Sequence, residues 1–198
     1  FCRSSGVTTA VDTGSAGPGN FAGFRAHVID RSAVRILAYL HVAFGGIWGF
    51  GREVMVGESR DLAAMAPRGA REVAEANRDV VVGIKVRLGR IASGDQGTAP
   101  LDYALAAAEA TGLPMMVHID EPPPSYSEVV ERLRPGDVLT HCLRPYPNAP
   151  VDGAGRVRPA VLAARQRGVI FDVGHGKGSF AFETARAMLE AGFAPDVI

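Results

Sequence analysis

Cysteine is scarce: Cys2 and Cys142 are the only two in 198 residues, and they lie far apart, with neither a CxxC spacing nor the makings of a disulfide framework. A stapled mini-fold and a thiolate zinc site are excluded, and a reducing, cytoplasmic setting is expected. Net charge is missing as well. Lys+Arg number 21 against 21 Asp+Glu, so the chain lacks the basic excess that grips phosphate backbones, and nucleic acid is not an expected partner. No apolar run is long enough to span a bilayer, and the first residues lack the charged-then-apolar layout of a signal peptide, so no membrane partner is expected either. The chain has no initiator Met, opening at Phe1 and stopping at Ile198 in what reads as the start of a strand. A fragment is the expectation.

Lysine is the most telling scarcity. Of the 21 basic residues only Lys85 and Lys177 are lysines. In a chain that uses arginine for general surface charge, a retained lysine points to a need for a primary amine that can lose its proton.

What the sequence does have is apolar content, 47% hydrophobic residues, enough for one globular domain with a buried core. Near-continuous apolar runs at 6–13, 34–42, 80–88, 114–119, 137–143 and 169–173 read as buried strands, and a seventh begins at 195–198. Helical stretches alternate with them. Leu101, Ala104, Leu105 and Ala108 share one helical face that ends at Gly112. Ser125 and Glu128 form a capping box, and Ser179 is expected to cap a helix running to Gly192. Alternating β and α units define an α/β fold. Polar residues from several strands, namely Asp12, Lys85, Arg87, His118, His141 and His175, fall at or just past strand C-terminal ends. That distribution favours a (β/α)8 TIM barrel over a doubly wound sheet, whose site gathers at one crevice. Six strands and the start of a seventh leave the barrel incomplete, with the first strand and most of the last missing.

Several of these residues can carry chemistry. A lysine inside VVVGIKVRL is costly to bury charged, which favours the neutral amine. A second reading has its tip reaching the barrel mouth or pairing with a carboxylate such as Asp120. His118 in MMVHID and His141 in VLTHCL sit at equivalent points of consecutive strands, about 4.8 Å apart in a parallel sheet, so both imidazoles can converge on one metal ion such as zinc. The stretch GHGKGS fails as a phosphate loop, because Phe171 and Gly178 stand where glycine and Ser/Thr are needed. His175 within it either contacts substrate or bonds to backbone, and Lys177 reads as a solvated charge. The glycines of GSAGPGN permit a tight turn. His27 reads as a surface helix residue, and His41, at a strand end, as a core residue, with a position facing the site as the other reading. Cys142, next to His141, is expected to point to the other strand face and pack.

In order along the chain, GVTTAVDTGSAGPGNFAGF, VVGIKVRLG, MMVHI, GDVLTHC, FDVGHGKGSF and AGFAPDVI resemble the amidohydrolase/deacetylase family of metallohydrolases, relatives of dihydroorotase within the amidohydrolase superfamily. The resemblance implies a (β/α)8 barrel with a binuclear, usually zinc, site at its C-terminal face. It implies that Lys85 takes up carbon dioxide to give a carboxylated lysine bridging two Zn2+ ions per subunit, and that His118 and His141 bind the second metal. The family's His-x-His pair and its later Asp have no counterpart between Phe1 and Ile198. The implied activity is metal-dependent hydrolysis of an amide, cyclic amide or ester of a small polar substrate, with Lys85 and His175 as catalytic candidates. Lyase chemistry on an amino sugar acid on the same scaffold, and a non-catalytic ligand-binding barrel, are the alternatives. A small-molecule substrate is the expected partner, and a homo-oligomer is compatible with the fold.

Overall fold

The computed structural model describes residues 2–51, 53–176 and 178–198, with backbone alone at residues 2 and 3. The apolar runs become strands β1 (Thr9–Thr13), β2 (Arg35–His41), β3 (Val81–Leu88), β4 (Met115–Ile119), β5 (Val138–Thr140) and β6 (Ile170–Asp172). Between and around them run helices α1 (Phe21–Phe24), α2 (Pro67–Ala76), α3 (Arg90–Ser93), α4 (Ala99–Thr111), α5 (Tyr126–Val130), α6 (Pro159–Gln166) and α7 (Phe182–Glu190). The strands follow one another across the sheet in chain order, β1-β2-β3-β4-β5-β6, and β1 with β2, β2 with β3 and β5 with β6 pair in parallel. A doubly wound sheet reverses its strand order at a switch point. Unreversed parallel order belongs to the (β/α)8 barrel, here incomplete. The seventh strand begins where the sequence placed it: Val197 bridges Asp172 in parallel, and the Val173 N–H donates to the Val197 carbonyl at 3.0 Å.

Within the fold the chain sorts into two compact units, Phe1–Val86 with Ala99–Met116, and Arg87–Thr98 with Val117–Ile198. In the first, α2 and α4 pack together. The buried residues of both are chiefly alanines, Ala70 and Ala74 against Ala104, Ala107 and Ala108, and small side chains let two helix backbones approach closely. Gly112, at φ +67°, ends α4 as a residue able to adopt the left-handed conformation should. In the second unit, Tyr126, Val129 and Val130 of α5 are buried, and Phe171 and Phe193 meet edge to face at 5.0 Å. Among the described residues no helix is long and apolar enough to cross a membrane.

Three expectations are corrected. β1 is not a buried strand: its residues alternate between exposed and half-buried, Val11 being 48% exposed, because β1 stands at the sheet's edge. β5 stops at Thr140, since His141 leaves extended geometry with φ +65°. Ser179 does not cap α7. The Ala181 N–H is held on the Leu143 carbonyl at 3.0 Å, which keeps the chain extended to Ala181, the residue from which the helix starts.

The capping box at α5 forms as the sequence indicates, with the Glu128 N–H donating to Ser125 Oγ and the Ser125 N–H donating to the Glu128 carboxylate at 2.8 Å. Ser125→Ala is expected to lower unfolding stability by about 1 kcal/mol, measured by urea denaturation. An unchanged midpoint would show that packing of Tyr126 and Val129 alone fixes this turn.

Candidate functional site

In the first unit, Lys85 lies near the C-terminal end of β3, in register with His41 at the end of β2. Register partners on parallel strands stand side by side on one face. Gly14, just past β1, completes the group: a Cβ there would fall 2.6 Å from Lys85 Cγ and 3.2 Å from His41 Cδ2. The Asp12 carboxylate shapes this turn by accepting the N–H groups of Gly14 and Ser15 at 3.1 and 2.9 Å. The loop glycines therefore serve a close approach as well as a turn, and at Gly17 the need is absolute, a Cβ falling 1.9 Å from the Ala43 carbonyl oxygen. Lys85 is 3% exposed, so the burial expected of it is found.

His41 is fully buried. Its Nδ1 accepts the Ala43 N–H at 2.9 Å, which in the neutral ring leaves the proton on Nε2, 3.2 Å from Glu58 Oε1. Glu58 is itself buried. Sequence reasoning misses it because it sits in a polar stretch, VGESR, with no strand pattern around it. His27 is exposed on a helical turn, as expected.

In the second unit the two candidate ligand histidines come together. His118, on β4, and His141, directly after β5, have ring centroids 4.7 Å apart with the rings perpendicular. His141 Nδ1 lies 2.6 Å from the Gly174 carbonyl oxygen. A carbonyl can only accept, so Nδ1 carries the hydrogen and the lone pair of the neutral ring is at Nε2. Tying one ring nitrogen to a backbone carbonyl so that the other can ligate is the usual outer support of a metal-binding histidine. His118 Nε2 stands 3.7 Å from Asp120 Oδ2. Asp120 in turn accepts the N–H groups of Ile91 and Ala92 at 3.0 and 3.1 Å, at the start of α3, and its burial pushes the carboxyl above the usual range. The C-terminal end of β4 is held from the β5 side: Arg144 donates to the Ile119 carbonyl, and the Asn148 amide donates to the Asp120 and Pro124 carbonyls at 2.9 Å each.

Cys142 is fully buried, and burial pushes its thiol up to about 12, so it is a protonated packing residue at neutral pH. Its packing role stands, although strand alternation does not explain it, β5 having ended at Thr140. His175 is exposed, its ring 5.0 Å from that of Phe180. Arg87 is buried. Lys177 lies outside the described residues. Among the described residues no group of three or more His, Cys, Asp or Glu is gathered as a metal site. The fit to a metal rests instead on two neighbouring imidazoles, ring centroids 4.7 Å apart, one with its tautomer fixed by a backbone carbonyl.

No family model matches the chain. Curated relatives do: a deacetylase of Brucella anthropi is 38% identical over 190 residues, 96% of this chain and 46% of the relative. A deacetylase of Agrobacterium fabrum is 37% identical with the same coverage, and one of Enterococcus faecalis 33% identical over 94% of this chain and 49% of its own length. The chain thus spans about half the length of the curated relatives it matches. Among solved structures, an adenine deaminase matches with TM-score 0.89 and 31% identity over 97% of this chain and 51% of that one. A dihydroorotase matches with TM-score 0.86 and 36% identity, over 97% and 50%.

Fold and relatives together define an incomplete (β/α)8 barrel of the kind found in hydrolytic enzymes. The chain belongs to the amidohydrolase superfamily, and its Brucella, Agrobacterium and Enterococcus relatives are named deacetylases.

Proposed function

We propose that the full-length protein is a zinc-dependent hydrolase of the amidohydrolase/deacetylase type that cleaves an amide, cyclic amide or ester bond of a small polar substrate. The observation that carries this is the His118–His141 pair at 4.7 Å, in a chain 38% identical to a deacetylase. Lys85, His118 and His141 are assigned as metal ligands. The resemblance of the surrounding motifs to the family's is what assigns Lys85 to the same centre as the histidines. A bound divalent metal lowers the pKa of water and polarises an acyl carbonyl.

The chain's own residues prepare for that chemistry. Burial of Lys85 favours an uncharged amine. Such an amine can add to carbon dioxide, forming an N–C bond and releasing a proton, to give a carbamate with hard oxygen donors that arginine cannot provide. His141 holds its Nδ1 hydrogen on Gly174, so its Nε2 is the donor atom. Exposed His175, on the loop after β6, is assigned to substrate contact. The expected setting is cytoplasmic.

The test is product analysis on the full-length protein with acyl esters, N-acyl amides and cyclic amides. We expect a released carboxylate, lost on treatment with a zinc chelator and recovered on adding zinc back. The solved relative titled an adenine deaminase makes ammonia the informative second product: its release without a new carboxylate would replace the acyl reading with a deaminating one. Turnover unaffected by chelation would remove the zinc.

A further inference from the structure

His141 is the one residue other than glycine, among those described, whose backbone takes a positive φ, +65°. For a histidine this conformation is uncommon and costs energy unless its surroundings impose it. Three hydrogen bonds tie it and its two neighbours to the last residue of β6 and to Gly174 two positions beyond. On the N-terminal side, Thr140 Oγ1 donates to Asp172 Oδ2 at 2.6 Å. On the C-terminal side, the Cys142 N–H donates to the Asp172 carbonyl at 3.0 Å. Between them, the His141 ring itself donates from Nδ1 to the Gly174 carbonyl at 2.6 Å. Gly174, φ +46°, closes the arrangement: a Cβ there would fall 2.2 Å from Thr140 Oγ1, 3.0 Å from Asp172 Oδ2 and 3.0 Å from His141 Nδ1.

The hydroxyl–carboxylate bond is the only one of the three made wholly between side chains other than His141's own. Thr140 and Asp172 are register partners on β5 and β6, so their side-chain bond lies beside a backbone ladder that already joins the two strands. What the extra bond does is fix Thr140, the residue preceding the left-handed turn, against the end of the strand that leads into Gly174. A charge-assisted hydrogen bond of this length is among the stronger kinds available to a protein, and Thr140 is buried.

We infer that Thr140 and Asp172 are positioning residues: together with side-chain-free Gly174 they hold His141 in its left-handed conformation with Nδ1–H on the Gly174 carbonyl, and so present Nε2 as the donor. The consequence for metal affinity rests on the function proposed above; the hold on the ring does not. Neither residue needs to touch a metal or a substrate.

The experiment uses the full-length protein in metal-free and zinc-titrated forms. The tautomer of His141 is read from two-bond proton–nitrogen NMR correlations, assigned with a His141→Gln variant. Zinc affinity is read by competition with a chromophoric chelator. The metal-free wild type is expected to show the Nδ1–H tautomer. Thr140→Val, nearly the same shape but without the donor, is expected to show mixed tautomers and about a 10- to 100-fold weaker zinc affinity, the range found when an outer support of a metal ligand is lost. Thr140→Ser, which restores the hydroxyl, should return both toward wild type, a rescue that mere loss of packing would not show. Should Thr140→Val fail to fold, Asp172→Ala tests the same bond from its other end. A wild-type tautomer together with wild-type zinc affinity in the valine variant, whatever its melting temperature, overturns the inference. A wild type that binds no zinc, with a tautomer that still shifts in Thr140→Val, retires the metal reading and keeps the positioning role.

Discussion

Lys85→Ala in the full-length protein, purified with zinc and bicarbonate supplied, is expected to lose most of its bound metal and to fall more than about a hundredfold in turnover. A hundredfold is the upper end of what removing an outer support of a ligand costs, and a ligand itself should exceed it. The physical ground is that the proposed role needs a nitrogen nucleophile, and alanine has none. Lys85→Arg sharpens the prediction: guanidinium keeps much of the bulk, but stays protonated and cannot form a carbamate. Both variants should therefore fail alike. Elemental mass spectrometry gives the stoichiometry, and a carbamate carbon signal from labelled bicarbonate, present only in the wild type, reads the modification. If the arginine variant keeps full metal content, Lys85 acts as a charge and the carbamate is wrong. If wild type and both variants all lack metal, the hydrolase reading itself gives way to that of a ligand-binding barrel.

Gly14→Ala should have the next largest effect, and for two separable reasons. The position has φ +105°, which an alanine adopts only with strain of about 1–3 kcal/mol. Its new Cβ would also fall 2.6 Å from Lys85 Cγ and 3.2 Å from His41 Cδ2, so the lysine side chain must leave its place beside His41. Gly112→Ala is the control. It too has a positive φ, +67°, but nothing lies within 4 Å of its would-be Cβ. Both variants are expected to unfold at lower denaturant concentration. Only Gly14→Ala is expected to lose metal as Lys85→Ala does. Full metal content in Gly14→Ala would mean that Lys85 can be displaced at that level without consequence.

Much of this is readable along the chain. Lys85 is buried on β3, and His118 and His141 meet at 4.7 Å, each lying in or just after an apolar run that the sequence marks as a strand. The helix ending at Gly112 and the capping box at Ser125 are equally legible, since each depends on residues three or four apart. Other parts are not. Glu58 meets His41 across 17 positions of irregular chain, and Asp172 meets Thr140 across 32; a carboxylate in a loop or at a strand end looks like any surface acid until its partner is placed. The left-handed turn at His141 has no signature, because a positive φ is uncommon for any residue but glycine and depends on hydrogen bonds to residues some thirty positions away. Ser179 misleads for the converse reason. It has the residue type of a helix cap, but the bond from Ala181 to Leu143 starts the helix later.

The sequence by itself determined the order of strands and helices and the residue types at strand ends, because apolar periodicity and backbone preferences act between near neighbours. Tertiary structure decided which atoms of those residues are turned toward one another. Gly14 makes room beside Lys85, His41 turns one ring nitrogen to Glu58, and His141 is twisted out of its strand with one nitrogen committed to Gly174. Those choices come from excluded volume and hydrogen-bond satisfaction between segments tens of residues apart, and such forces act only once the strands lie side by side.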